Sequence, residues 1–249
     1  IGSLAVSGGI FDHAVDSTYC ADGFKPAKEN GKYTVKKISV AKIGDVSYGS
    51  LEEAFKAAKD GDTIKLLKSS SGNGIAVAEG TFKTGLTVDF NGFSYTFSGV
   101  LVGSAGTSSN GFQLLKDNKI TFKNGAIYAD SNCVVGDDKT EWTGAPAIMI
   151  QNYSSLTLDG MTIVGGTNTV YTLSNNCGDT VIKNSTITAG KGTKWRKPFA
   201  FDVCGFDPYP GATVTVTGST INGNIELSSD VKKTFDLALT LNEKTSVSG

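Results

Sequence analysis

Along most of the chain, apolar and polar residues alternate in short runs rich in Thr, Val, Ile and Leu, such as Leu156-Thr157-Leu158 and Val214-Thr215-Val216. A period of two predicts short β-strands with one buried face. The runs surround a recurring pattern that reads apolar, any, Asn or Gly, any, any, apolar, at residues 90–95, 122–127, 158–163, 182–187 and 216–221. Its third position is Gly92, Asn124, Gly160, Asn184 and Gly218. These residue types enter the left-handed backbone region at least cost, so a sharp bend is expected there. A further strand is expected in most repeats, at 112–115, 147–150, 170–173, 199–203 and 224–227.

Three short strands per repeat cannot bury an apolar face alone, whereas stacking them at about 4.8 Å pairs each strand with its neighbours and closes a continuous interior. The expected fold is therefore all-β, a right-handed parallel β-helix (solenoid). Successive bends are separated by 32, 36, 24 and 34 residues. The shortest interval reads as a bare coil and the others as coils with loops, an irregularity that disfavours a propeller. Before the coils, Ser50-Leu51-Glu52-Glu53 is a capping box, followed by Ala54, Phe55, Ala57 and Ala58 at helical spacing and a stop at Gly61. A short N-terminal capping helix at about 50–60 would cover the open end of the interior. In the first 48 residues, Asn30-Gly31 ahead of Tyr33-Thr34-Val35 signals a hairpin and a small N-terminal β unit. The division expected is 1–48 for that unit and 49–249 for the β-helix. The run 235–241 reads as one more strand with unpaired edges.

The 249 residues carry 23 basic and 24 acidic side chains, a net charge of -1. Such a balance provides no field to gather nucleic acid or an anionic bilayer. No apolar run approaches the length of a membrane span. Ile1 in place of a start methionine predicts a fragment of a longer protein, and Val247-Ser248-Gly249 echoes Val6-Ser7-Gly8, as a tandem unit would. Cys20, Cys133, Cys177 and Cys204 lack the close spacing of a zinc site. Two readings stay open for them: Cys177 and Cys204 paired in an exported protein, or thiols acting as small apolar residues.

The helix-then-strand passage from Tyr48-Gly49-Ser50-Leu51-Glu52-Glu53-Ala54-Phe55 to Asp60-Gly61-Asp62-Thr63-Ile64-Lys65-Leu66 resembles the entry of pectate-lyase-like β-helix proteins. Val6-Ser7-Gly8-Gly9-Ile10-Phe11, with Tyr19-Cys20-Ala21-Asp22-Gly23-Phe24 beyond it, is similar to units of large surface proteins of gut-dwelling bacteria. The resemblance implies a secreted or cell-surface setting facing polysaccharide or host, with neighbouring domains on the same chain. For activity it implies little, because this fold carries lyases, hydrolases, tailspikes and adhesins alike.

Lyases of this fold hold calcium on clustered carboxylates, yet Asp159 and Asp179 stand in no run of acids at equivalent coil positions. No metal or cofactor is expected. His13, the single histidine, lies outside the coils and reads as a surface residue, and the Gly-rich stretch 103–111 as loop. Two long insertions leave the coils at the same place. One holds Asp137, Asp138, Glu141 and Trp142; the other holds Lys194, Trp195, Arg196 and Lys197. The coil between them has only a short loop at 165–168, so the insertions are expected to wall a groove about 10 Å wide. The tryptophans read either as stacking platforms or as anchors that pin the loops. A third insertion adds Phe206 and Tyr209 as candidate exposed aromatics, stiffened by Pro208 and Pro210. The leading expectation is a non-catalytic, adhesin-like module that binds a glycan or host surface protein through these residues. The rivals are a polysaccharide lyase or glycoside hydrolase with its acid or base among Asp137, Asp138, Glu141, Lys194, Arg196 and Asp207, and a structural spacer.

Overall fold

At each expected bend the backbone turns left-handed: φ is 82° at Gly92, 59° at Asn124, 63° at Gly160, 51° at Asn184 and 58° at Gly218. The computed structural model describes residues 4–21, 23–104, 108–134, 144–205, 211–229 and 235–249. They are mostly β, with extensive parallel sheet and one α-helix.

The bends separate two ladders of parallel strands. The first holds Thr63–Leu66, Leu86–Asp89, the opening halves of Lys119–Ala129 and Ser155–Val164, Asp179–Lys183, Gly211–Thr217 and Asp236–Leu241. The second holds Ser70–Gly72, Ser94–Phe97, the closing halves of the two long strands, Thr186–Thr188, Thr220–Asn222 and Ser246–Ser248. A third ladder forms a separate parallel sheet of Ile75–Val77, Asn110–Leu114, Ile148–Asn152, Tyr171–Asn176, Phe199–Gly205 and Ile225–Ser229. From residue 63 onward the chain passes through the three ladders in one repeating order.

The apolar residues that flank each bend are the buried ones. Phe90, Phe122, Leu158, Ile182 and Val216 are buried, as are Tyr95, Ile127, Ile163, Ile187 and Ile221 on the far side of the bend. With Phe112, Ile150, Leu173 and Phe201 of the third ladder they belong to a single buried apolar cluster. Fully burying each such side chain is worth about 1.5–3 kcal/mol, which makes this interior the main stabilising term. Two asparagines that enter it are paired, while among the described residues Ser70 Oγ is buried with no hydrogen-bond partner. Asn152 Nδ2 lies 3.0 Å from the Ser154 carbonyl and 2.9 Å from Asn175 Oδ1, and Asn175 Nδ2 donates to the Gly178 carbonyl at 2.7 Å.

The helix spans Leu51–Ala57, shorter than the expected 50–60. Ser50 Oγ accepts the Glu53 N–H at 3.1 Å, and Glu53 reaches back to the Gly49 N–H at 2.9 Å. Leu51, Ala54 and Phe55 are buried in the same cluster as the ladders. The helix stops early because Ala58 is already extended, with ψ of 141°. At the N-terminus, Phe24–Glu29 and Lys32–Lys37 form an antiparallel hairpin turned by Asn30 and Gly31, whose φ values are 48° and 80°. Ile10–Phe11 joins it as a third strand. Ala41–Ile43 runs antiparallel to Thr63–Leu66 and to Val46–Tyr48, and so extends the first ladder's sheet. No helix among the described residues is long and apolar enough to cross a membrane.

Candidate functional site on the third ladder

Lys194, Trp195 and Arg196 lie in the turn between Thr186–Thr188 and Phe199–Gly205. Thr193 organises that turn. Its N–H donates to the Arg196 carbonyl at 3.0 Å, and its Oγ1 accepts the N–H groups of Trp195 and Arg196 at 3.2 and 3.0 Å. Gly192 permits the approach, with φ of 68° and its N–H on the Thr169 carbonyl at 3.0 Å. Trp195 is 83% exposed, so it does not pin the loop to the body of the protein. The loop is held by its backbone, and the indole is left to solvent with Lys194 Nζ 4.6 Å from the ring centre. Asp137, Asp138, Glu141, Trp142, Phe206, Asp207 and Tyr209 fall outside the described residues.

Arg196 lines a cavity of about 310 Å³ on the third ladder with Asn110, Gln151, Tyr153 and Tyr171. No carboxylate among the described residues forms an ion pair with its guanidinium. Beside the cavity, strand register sets Gln113, Gln151, Ser174, Asp202 and Glu226 in one row across neighbouring strands. Parallel pairing spaces such neighbours by about 4.8 Å, close enough for their side chains to meet. Gln151 Oε1 accepts from Asn110 Nδ2 and Gln113 Nε2, both at 2.9 Å. Asp202 Oδ1 accepts the Asn175 N–H at 2.7 Å, and Ser174 Oγ lies 3.2 Å from Oδ2. Tyr171 stacks on Phe199 with ring centres 5.4 Å apart and donates its hydroxyl to Glu226 Oε2 at 2.6 Å.

Two carboxylates thus sit side by side in unlike surroundings. Asp202 is 3% exposed and Glu226 half-buried. Burial pushes the Asp202 carboxyl up to about 7 and the charge of Glu226 adds to the rise, against the hydrogen bonds from Asn175 and Ser174. Burial, followed by its bond to Glu226, raises the Tyr171 hydroxyl. The row thus sets a carboxyl whose proton affinity burial has raised beside a second carboxylate, among amides and hydroxyls, an arrangement suited to recognising hydroxyl groups or to passing a proton.

The sequence reading missed Gln113, Gln151, Tyr171, Asp202 and Glu226. A signal existed. In each third strand an apolar residue precedes the row residue: Phe112-Gln113, Ile150-Gln151, Leu173-Ser174, Phe201-Asp202 and Ile225-Glu226. Loop composition drew attention away from it. The cysteines are all thiols in the structure, Cys133 buried and Cys20, Cys177 and Cys204 partly exposed. His13 is exposed. Among the described residues no three His, Cys, Asp or Glu side chains gather as metal ligands. No protein-family model, curated protein or solved structure matches the chain.

Proposed function

We propose that the chain is a right-handed parallel β-helix acting as a glycan-binding module of a secreted or cell-surface bacterial protein, with the third ladder and the Lys194–Arg196 turn as its binding face. The winding is supported by three parallel ladders visited in constant order and by left-handed bends at equivalent positions. The single observation that carries the function is an indole 83% exposed next to an arginine that lines an amide- and tyrosine-rich cavity. Sugar rings stack on exposed aromatic faces, while fixed amides, hydroxyls and guanidinium groups read their hydroxyls. A surface scaffold that needed neither would gain nothing from leaving Trp195 in water. Titration against a panel of polysaccharides is the test. Trp195→Ala and Arg196→Ala should each weaken binding about tenfold or more with an unchanged melting temperature. Binding unaffected by both, or binding to a host protein alone, would overturn the glycan reading, and absence of any ligand would favour a spacer.

One observation favours a second reading, a glycoside hydrolase. Asp202 and Glu226 are register partners, and burial raises the Asp202 carboxyl. Paired carboxylates of that kind hydrolyse glycosidic bonds when one donates a proton and the other attacks or activates water. Release of reducing ends from a bound polysaccharide, abolished in Glu226→Gln, would establish it. Binding without release would leave the row as a recognition surface.

A further inference from the structure

Asn176 and Cys204 are register partners on neighbouring strands of the third ladder. One residue on, the Cys177 N–H donates to the Cys204 carbonyl at 2.8 Å. That bond makes the two cysteines diagonal neighbours, with Cα atoms on the order of 5–6 Å apart, inside the span that a disulfide bridges. In a regular strand, diagonal neighbours would point to opposite faces. Cys177 escapes this rule because it follows the end of Tyr171–Asn176 in the left-handed region, with φ of 60°. Both residues are partly exposed, whereas Cys133 is buried. The thiols also sense each other: Cys204 is raised above its ordinary value first by burial, with Asp202 and Cys177 adding to the rise.

We propose that Cys177 and Cys204 form an oxidation site, joining as a disulfide between two adjacent strands beside the polar row. With a low-molecular-weight disulfide as oxidant, one thiolate attacks it, forms a mixed disulfide and releases one small thiol. The second protein thiolate then displaces the other small thiol and closes the protein disulfide. The two protons and two electrons lost by the cysteines end on the two released thiols. The bridge closes the segment 177–204, which carries Trp195, Arg196 and Asp202, and it does not depend on what that face binds.

The test uses the folded chain incubated with oxidised glutathione, alkylated, unfolded, alkylated again and mapped as peptides without reductant. A single cross-linked pair containing Cys177 and Cys204 is expected, with Cys20 and Cys133 alkylated. The oxidised protein should melt about 5–10 °C above the reduced one, and Cys177→Ser and Cys204→Ser should each melt like the reduced protein whatever the oxidant. Separate alkylation of the two cysteines, glutathione retained on either, or a cross-link to Cys20 would overturn the proposal. Because the map is read on the natural sequence, poor folding of a variant does not decide the outcome.

Discussion

Asp202 is where a single side chain exerts most leverage. An acid held protonated by its folded surroundings stabilises the fold most when the unfolded chain is protonated as well. Its folded value of about 7 stands above the ordinary 3.8, so the folded state binds more protons between those limits and stability falls as pH rises from about 4 to about 7. Asp202→Asn keeps the acceptor for the Asn175 N–H while removing the titration. Urea unfolding across that range should therefore show a decline of a few kcal/mol in the natural protein and a nearly flat profile in the variant; equal slopes would refute the assignment. Glycines separate into two kinds at the same scale. A Cβ at Gly160 would meet nothing nearer than 3.6 Å, so Gly160→Ala costs only the left-handed backbone, about 1 kcal/mol. A Cβ at Gly125 would lie 2.2 Å from Phe90 Cβ and 2.4 Å from the Phe93 carbonyl oxygen. Gly125→Ala should cost about 3 kcal/mol or more through overpacking, and denaturant midpoints would rank the two variants. The bend glycine was legible in the sequence because its neighbours repeat. The packing glycine was not, since its contacts come from the preceding repeat.

Each element owes its register to its neighbours above and below. On the first ladder Lys65, Asp89, Lys123, Asp159 and Lys183 fall in one row, alternating in sign. Lys123 Nζ lies 3.8 Å from Asp89 and Lys183 Nζ 3.1 Å from Asp159. These side chains are 19–44% exposed, so each pair contributes less than about 1 kcal/mol. The row matters more as a guard, because a slip of one repeat would set like charges face to face. Asp159→Lys should destabilise the fold by about 1–2 kcal/mol at low salt, with most of the loss recovered at high salt through screening. Thermal melts at two ionic strengths would show this, and a salt-independent loss would contradict it. The strands, bends, hairpin and helix were readable from alternation, Asn/Gly placement and the capping box. The charge row was not, because its members are spread over residues 65 to 183 and align only once the repeats are stacked.

For the molecule as a whole, function follows from what stacking brings together. Gln113, Gln151, Ser174, Asp202 and Glu226 are far apart in sequence and adjacent in the third ladder. Sequence reading found the Trp195 turn because its composition is unusual, yet the face beside it is written one residue per repeat in otherwise ordinary strands. The proposed binding face therefore stands or falls with the stacked architecture. Thr63, Thr87, Thr121, Thr157, Val181, Thr215 and Thr240 share one row of the first ladder. Nitroxides carried on unnatural residues at pairs of these sites, with the cysteines left in place, allow their separations to be read by pulsed electron resonance. Stacked parallel strands predict about 19 Å from residue 87 to residue 215 and about 29 Å from residue 63 to residue 240, growing linearly with the number of strands crossed. Separations that bear no relation to that count, as antiparallel sheets packed face to face would give, would contradict the account.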